Sequence, residues 1–149
     1  MKIAIIYYSR HHGNTKKVLD AIREIYDLEL IDVLECKEKN LSEYDAIGFA
    51  SGIYFNNFHK SIIAFAKSNL PENKKVFLIH TYGIKIKGYT KEMKKIIQEK
   101  SCELIGVFGC RGYDTFGPLK LIGGIAKGRP NEKDLKGAQE FFRKLINRG

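Results

Sequence analysis

The feature that most restricts the fold is an alternation of short apolar runs with amphipathic segments along the whole chain. The apolar runs, which suit buried strands, are Lys2–Tyr8, Glu29–Leu34, Tyr44–Ala50, Lys75–His80 and Leu104–Gly109. The segments with helical spacing of apolar residues are Thr15–Tyr26, Ser61–Leu70, Lys91–Lys100 and Asn131–Arg148. We interpret this as strand–helix alternation repeated five times. It predicts a parallel sheet with helices on both faces.

Length and cysteine usage restrict the class of protein. The chain has 149 residues, which predicts a single domain over residues 1–149. No apolar run approaches the roughly 18 residues that a membrane span needs, and the first residues lack a signal-peptide layout. Cys36, Cys102 and Cys110 form no CxxC pair, which favours free thiols in a reducing compartment over a disulfide framework or a metal site. We therefore expect a cytoplasmic protein, most simply a monomer.

The positive charge is concentrated in the second half of the chain. Residues 1–70 hold 9 Lys or Arg and 9 Asp or Glu, whereas residues 71–149 hold 17 and 8. This excess suits a solvated lysine-rich surface, or the steering of an anionic substrate or an acidic partner. No nucleic-acid-binding motif is present, so we expect no specific nucleic-acid partner.

Four loops follow the carboxyl ends of the predicted strands, where ligands bind in parallel sheets. They are Ser9–Thr15, Ser51–His59, Thr81–Tyr89 and Cys110–Gly128. The loops combine glycine with aromatic and amide side chains, and exposed rings are costly unless a ligand covers them. This edge of the sheet is therefore the predicted binding site.

The first loop has the chemistry of a phosphate site. It reads YSRHHGNTKK and leads directly into a helix, whose first N–H groups and dipole favour an anion. Ser9, Asn14 and Thr15 add polar groups, and Gly13 lets the backbone approach closely. Ser9 and Thr15 could alternatively be simple helix caps. The loop is neither a Walker loop nor a GxGxxG dinucleotide fingerprint. Its donors are mainly neutral, which suits a terminal phosphomonoester.

YSRHHGNTKKV resembles the phosphate loop S/T-x-T-G-N-T of the flavodoxin family. The resemblance extends over essentially the whole chain. It implies an α/β, three-layer, doubly wound sheet of five parallel strands in the order 2-1-3-4-5, with noncovalent FMN. This loop has one extra residue between Ser9 and Gly13, and His11 and His12 stand where the family has a hydroxyl residue.

The resemblance also assigns cofactor contacts to three loops. Tyr54 or Phe55 would cover one face of the flavin and Tyr82 the other, with Gly52 near the redox-active N5. The complete set is Ser9, Arg10, His11, His12, Gly13, Asn14, Thr15, Ser51, Gly52, Ile53, Tyr54, Phe55, Asn56, Thr81, Tyr82 and Gly83. No catalytic residue and no metal ligand is predicted.

The implied function is electron transfer between redox partners. Because this chain is so basic, we expect its partner to be an acidic protein or a small redox substrate. The alternative is an FMN-dependent oxidoreductase that acts on a small or anionic substrate, such as a quinone reductase. Ile47–Tyr54 followed by Phe58–Ser61 also resembles flavodoxin-like protoporphyrinogen dehydrogenases. A tyrosine phosphatase of this architecture would need Cys-x5-Arg, and a receiver domain an aspartate where Ala50 and Ser51 stand. Neither pattern is present.

Three further features are open at this point. We expect His59 to lie at the surface or cap a helix, and His80 and Cys110 to be core residues beside the site. The long glycine-rich segment Gly109–Gly128 could shape the substrate side of the cofactor, or could be a structural connection before the last helix.

Overall fold

A computed structural model describes residues 1–10, 12–115 and 117–148 of the chain. Its strands are β1 (Ile3–Tyr8), β2 (Glu29–Asp32), β3 (Ala46–Tyr54), β4 (Asn57–Phe58), β5 (Lys75–Tyr82) and β6 (Glu103–Arg111). Its helices are α1 (Asn14–Arg23), α2 (Lys60–Asn69), α3 (Lys91–Glu99) and α4 (Glu132–Asn147), and a 3₁₀ helix covers Gly117–Ile122.

The long strands form one parallel sheet in the order β2-β1-β3-β5-β6. Counting only these five, the order is the predicted 2-1-3-4-5, so the predicted fold class is confirmed. The additional strand β4 has two residues and pairs antiparallel with the end of β3. Strand β3 continues to Tyr54, four residues beyond the predicted end, because this hairpin and the partners Tyr8 and Thr81 extend its pairing.

The strand–helix alternation is interrupted once. Residues 33–45, between β2 and β3, contain turns and no helix, which corrects the expectation of five complete repeats. Leu41 and Tyr44 from this connection are nevertheless almost fully buried and join the core beside α2. An irregular connection thus supplies apolar side chains that a helix would otherwise provide.

Two cores lie on opposite faces of the sheet, because neighbouring residues of a strand point to opposite sides. Ile6 and Leu78 belong to the core under α2 and α3. Ile5, Phe77 and Phe142 belong to the core under α1 and α4. The central strands are buried on both faces, so their carboxyl ends are held rigidly at one edge.

The N-cap side chains of α2 and α4 cap these two helices. The Asn131 side chain accepts a hydrogen bond from the backbone of Asp134, and the Asp134 carboxylate accepts one from the backbone of Asn131, forming the predicted capping box. His59 caps α2 through Nδ1, which accepts from the Ser61 backbone. Within the described part of the chain, no helix is both long and apolar enough to cross a membrane.

Candidate functional site

The loop after β1 ends in two successive residues with left-handed backbone. His12 has φ 59° and Gly13 has φ 65°, and helix α1 begins immediately afterwards at Asn14. The Ser9 hydroxyl accepts a hydrogen bond from the Lys16 backbone N–H at 3.0 Å. Among residues 1–10, 12–115 and 117–148, no acceptor is within hydrogen-bond distance of the Asn14 or Thr15 backbone N–H. The helix start therefore offers two donors to a ligand.

The side chains of Asn14 and Thr15 connect this loop to other parts of the sheet edge. The Asn14 amide donates a hydrogen bond to the Tyr113 carbonyl at 2.8 Å. Its side-chain oxygen is buried and has no hydrogen-bond partner among the residues that the structure describes, which is costly unless a ligand donor pairs with it. Thr15 is 1% exposed and its hydroxyl lies 2.9 Å from that of Thr81 on β5.

Arg10 points away from the helix start. Its guanidinium lies 3.0 Å from the Asp32 carboxylate at the end of β2. The hydrogen bond to Asp32 and the attraction of that carboxylate raise the pKa of Arg10. Arg10 thus lines the edge of the cleft, but its positive charge is paired with the Asp32 carboxylate.

The loop after β3 is a tight hairpin. Tyr54 pairs with Asn57, so only Phe55 and Asn56 connect β3 to β4, and both have left-handed backbone, at φ 52° and φ 62°. Positive φ at both positions is typical of a type I′ turn. The turn displays the Phe55 ring, which is 87% exposed. For a bulky aromatic residue this backbone is strained.

Tyr54 is held in place by two rings behind it. The Tyr8 and His59 rings stack at 3.6 Å with their planes 2° apart, and the Tyr54 ring meets them edge-on at 5.6 and 5.0 Å. Burial, and then the charge of Lys60, lower the pKa of His59. The cluster therefore supports the Tyr54 ring, and Tyr54 also lines the cleft.

The loop after β5 approaches the segment after β6 very closely. A Cβ atom on Gly83 would lie 2.6 Å from the Asp114 carboxylate and 3.0 Å from Ile125. The Arg111 guanidinium donates two hydrogen bonds to the Gly83 carbonyl, at 3.1 and 2.9 Å. Glycine is therefore required at this position, and the backbone next to Tyr82 is fixed.

These loops enclose one cleft at the carboxyl ends of the strands. Its volume is about 670 Å³, including the part open to solvent. Eleven predicted residues line it, namely Ser9, Arg10, Asn14, Thr15, Gly52, Ile53, Tyr54, Phe55, Thr81, Tyr82 and Gly83.

Four other predicted residues do not line the cleft. His12 lies 2.9 Å from the Thr115 hydroxyl and packs on the Tyr113 ring at 4.4 Å, and Gly13 shapes the turn. Ser51 is buried and its hydroxyl donates to the Gly52 carbonyl and accepts from the His59 backbone. Asn56 is exposed at the hairpin tip. His11 lies outside the described residues.

The segment after β6 forms a fourth wall of the cleft. The sequence had left the role of this segment open. Gly112, Tyr113 and Asp114 line it, so the segment after β6 contributes directly to the site. A Cβ atom on Gly112 would lie 2.5 Å from the Asn14 amide, which makes glycine necessary for this approach. The glycine-rich length of the segment was its only signal in the sequence.

Cys110 is buried at the same edge, as expected. His80 is only half-buried, and its buried Nδ1 has no hydrogen-bond partner among the described residues, so it is not the satisfied core histidine that the sequence favoured. Burial, with a smaller contribution from Lys94, lowers the pKa of His80 to about 4. Burial raises the pKa of the Cys110 thiol to about 12, which keeps it protonated and unreactive near neutral pH. In the described part of the chain, no cluster of His, Cys, Asp or Glu could hold a metal ion.

Comparison with known proteins places this geometry in a family. The model of the family described as Flavodoxin domain matches residues 5–116. An uncharacterised protein of Methanocaldococcus jannaschii is 38% identical over 148 residues, which cover 98% of this chain and 99% of that protein.

Solved structures are similar in fold. A flavodoxin from the domain Archaea has a TM-score of 0.70 and 18% identity, covering 99% of this chain and 98% of that one. A flavoprotein of Lactobacillus acidophilus in complex with FMN has a TM-score of 0.56 and 21% identity, covering 72% and 92%. The fold, the loop positions and the family match agree, and the chain belongs to the flavodoxin family.

Proposed function

We propose that this protein binds FMN in the cleft and carries electrons between redox partners. The observation that carries the proposal is the arrangement of the cleft. At one end is a helix start with two N–H groups that have no acceptor in the described part of the chain, and at the other end are tyrosine rings. A bound flavin would supply the electron chemistry, while the protein supplies binding, orientation and electrostatics.

At the phosphate end, the backbone N–H groups of Asn14 and Thr15 would hold the phosphate. The helix dipole favours a negative charge at this point. The unpaired oxygen of Asn14 is a hydrogen-bond acceptor, so it suits a hydroxyl group of the ribityl chain next to the phosphate. These donors and this acceptor fit a phosphorylated sugar alcohol better than a bare inorganic anion.

At the ring end, Tyr54 and Phe55 from the hairpin and Tyr82 from β5 would pack against the flavin ring. Gly52 and Gly83 would let backbone groups approach the ring edge, since both line the cleft without a side chain. The edge-on support of Tyr54 by Tyr8 and His59 keeps its ring ready before the cofactor binds, which reduces the entropy lost on binding.

The described lining of the cleft is mostly aromatic, hydroxyl and backbone groups, with Asp114 as its one carboxylate and no histidine or thiol. Such a lining suits a bound flavin that carries electrons. We further propose an acidic redox partner protein for this basic chain, a monomeric state and, since the three cysteines are free, a cytoplasmic location.

The test is a titration of the purified protein with FMN and with riboflavin, followed by quenching of flavin fluorescence. We expect FMN to bind at least about tenfold more tightly, because only FMN uses the helix start and charge-assisted hydrogen bonds contribute about 1.5–3 kcal/mol. Tyr82→Leu should weaken the binding of both flavins. Asn14→Ala should also weaken both, because its side-chain oxygen would pair with the ribityl chain that FMN and riboflavin share. Equal binding of both flavins would contradict the phosphate assignment.

A further inference from the structure

Two neighbouring loops beside the cleft expose apolar side chains to solvent. Ile84 and Ile86, after β5, are 51% and 49% exposed. Leu121 and Ile122, in the 3₁₀ helix after β6, are 88% and 72% exposed. Single exposed apolar residues are ordinary. Here four of them lie on two loops that meet where Gly83, beside the cleft, packs against Asp114 and Ile125, which favours a surface that another molecule covers.

The exposure belongs to loops whose backbones are anchored. The Tyr89 hydroxyl, in a residue only 7% exposed, donates a hydrogen bond to the Ile84 carbonyl. Arg111 holds the Gly83 carbonyl, and Gly83 packs against Ile125. Because these contacts fix the backbone while the neighbouring apolar side chains face solvent, the loops present a preformed surface.

The same loops are basic. Lys85 and Lys87 alternate with the two isoleucines and are exposed, as is Lys127. Across residues 1–10, 12–115 and 117–148, no carboxylate lies within ion-pair distance of these three lysines. Some other surface lysines do have such partners, for example Lys16 with Asp20 at 2.6 Å. The cations beside the cleft are thus available to an acidic partner.

We define the cleft rim as Ile84, Lys85, Ile86, Lys87, Leu121 and Ile122, and we propose that it docks an acidic electron-transfer protein. The inference rests on the proposed function and names the surface and charge of the partner. Apolar side chains surrounded by charge are typical of the centre and edge of a protein interface, and small interfaces suffice for transient redox encounters. Charge complementarity would steer the encounter.

The positive charge of the cleft rim also makes a second copy of this chain an unfavourable partner for this surface. Two rims facing each other would bring Lys85 and Lys87 of both copies together, and like charges across an interface are unfavourable. A membrane surface would use the same lysines and apolar groups, so it is tested directly below.

The experiment measures binding of two labelled probe proteins to the FMN-loaded protein by fluorescence anisotropy. The probes are a plant-type ferredoxin, which is acidic, and horse cytochrome c, which is basic. We expect binding of the ferredoxin only, weakening as ionic strength rises to the physiological value, because salt screens exposed charges. The same titration on the protein without FMN separates docking from cofactor binding: absence of FMN binding defeats the proposed function, while docking is still measured.

The variant Lys85→Glu/Lys87→Glu reverses the charge of the rim. The matched control Lys95→Glu/Arg143→Glu makes the same change in net charge on exposed positions of α3 and α4. We expect the rim variant to bind ferredoxin at least about tenfold more weakly and the control to change it by no more than about twofold. Leu121→Ser/Ile122→Ser should also weaken binding.

Three results would overturn the proposal. The first is an equal loss in the rim variant and the control, which would make net charge the cause. The second is ferredoxin binding that does not change with salt. The third is rim-dependent sedimentation with phosphatidylserine vesicles at physiological ionic strength without ferredoxin binding, which would assign the surface to membranes.

Discussion

The hydroxyl groups of Thr15 on α1 and Thr81 on β5 lie 2.9 Å apart, and both residues are almost fully buried. This hydrogen bond joins the start of the first helix to the carboxyl end of a central strand. It therefore sets the distance between the proposed phosphate end and the Tyr82 side of the cleft.

Thr15→Val should lower the free energy of unfolding by about 1–3 kcal/mol, because it leaves the Thr81 hydroxyl buried without its partner. The double variant Thr15→Val/Thr81→Val should recover much of the loss, since both polar groups are then removed. Urea unfolding of the two single variants and the double variant forms a complete cycle. Additive losses would show that the two hydroxyl groups do not interact.

Gly112→Ala should weaken FMN binding, because its methyl group would lie 2.5 Å from the Asn14 amide and displace it. We expect a loss of about tenfold or more, since Asn14 then moves from the helix start. The matched control is Gly137→Ala in α4, where the nearest atom lies 3.7 Å away. It should raise the free energy of unfolding by about 0.5–1 kcal/mol with FMN affinity unchanged. Unchanged affinity in Gly112→Ala would contradict the contact.

Phe55→Asn should separate stability from binding. Asparagine tolerates the left-handed backbone at this position better than phenylalanine does. The free energy of unfolding should therefore rise by about 0.5–1 kcal/mol, and the thermal unfolding temperature should rise with it. Loss of the ring should weaken FMN binding. Asn56→Gly, at the neighbouring position of the same turn, is the control and should stabilise the turn with no loss of FMN affinity. A lower unfolding temperature in Phe55→Asn would show that the ring stabilises the fold.

Stability should depend on pH through His80. The unfolded chain takes up a proton near pH 6.5, whereas burial keeps the folded His80 neutral down to about 4. The free energy of unfolding should therefore fall as the pH decreases through this window, by up to about 3 kcal/mol. His80→Phe should reduce this slope between about pH 4 and 6.5, and urea unfolding at several pH values measures it. Identical slopes in the two proteins would contradict a neutral folded His80.

The sequence predicts those parts of the site that depend on local signals. Gly13-Asn14-Thr15 indicates the helix start, and strand ends identify the loops that line the cleft. The hairpin was not predicted because Phe55-Asn56 lacks the usual Asn-Gly signal of a type I′ turn. The wall at Gly112–Asp114 was undecided because it depends on a tertiary approach to Asn14 and Gly83, which no local pattern records.

The most direct test of the central claim is the visible absorbance spectrum of the purified protein after incubation with FMN and desalting. We predict that the flavin bands remain with the protein, at about one FMN per chain, and that the bands are lost when riboflavin replaces FMN. A protein that remains colourless after the same treatment with FMN would contradict the account, because a cleft of this composition should then have retained its cofactor.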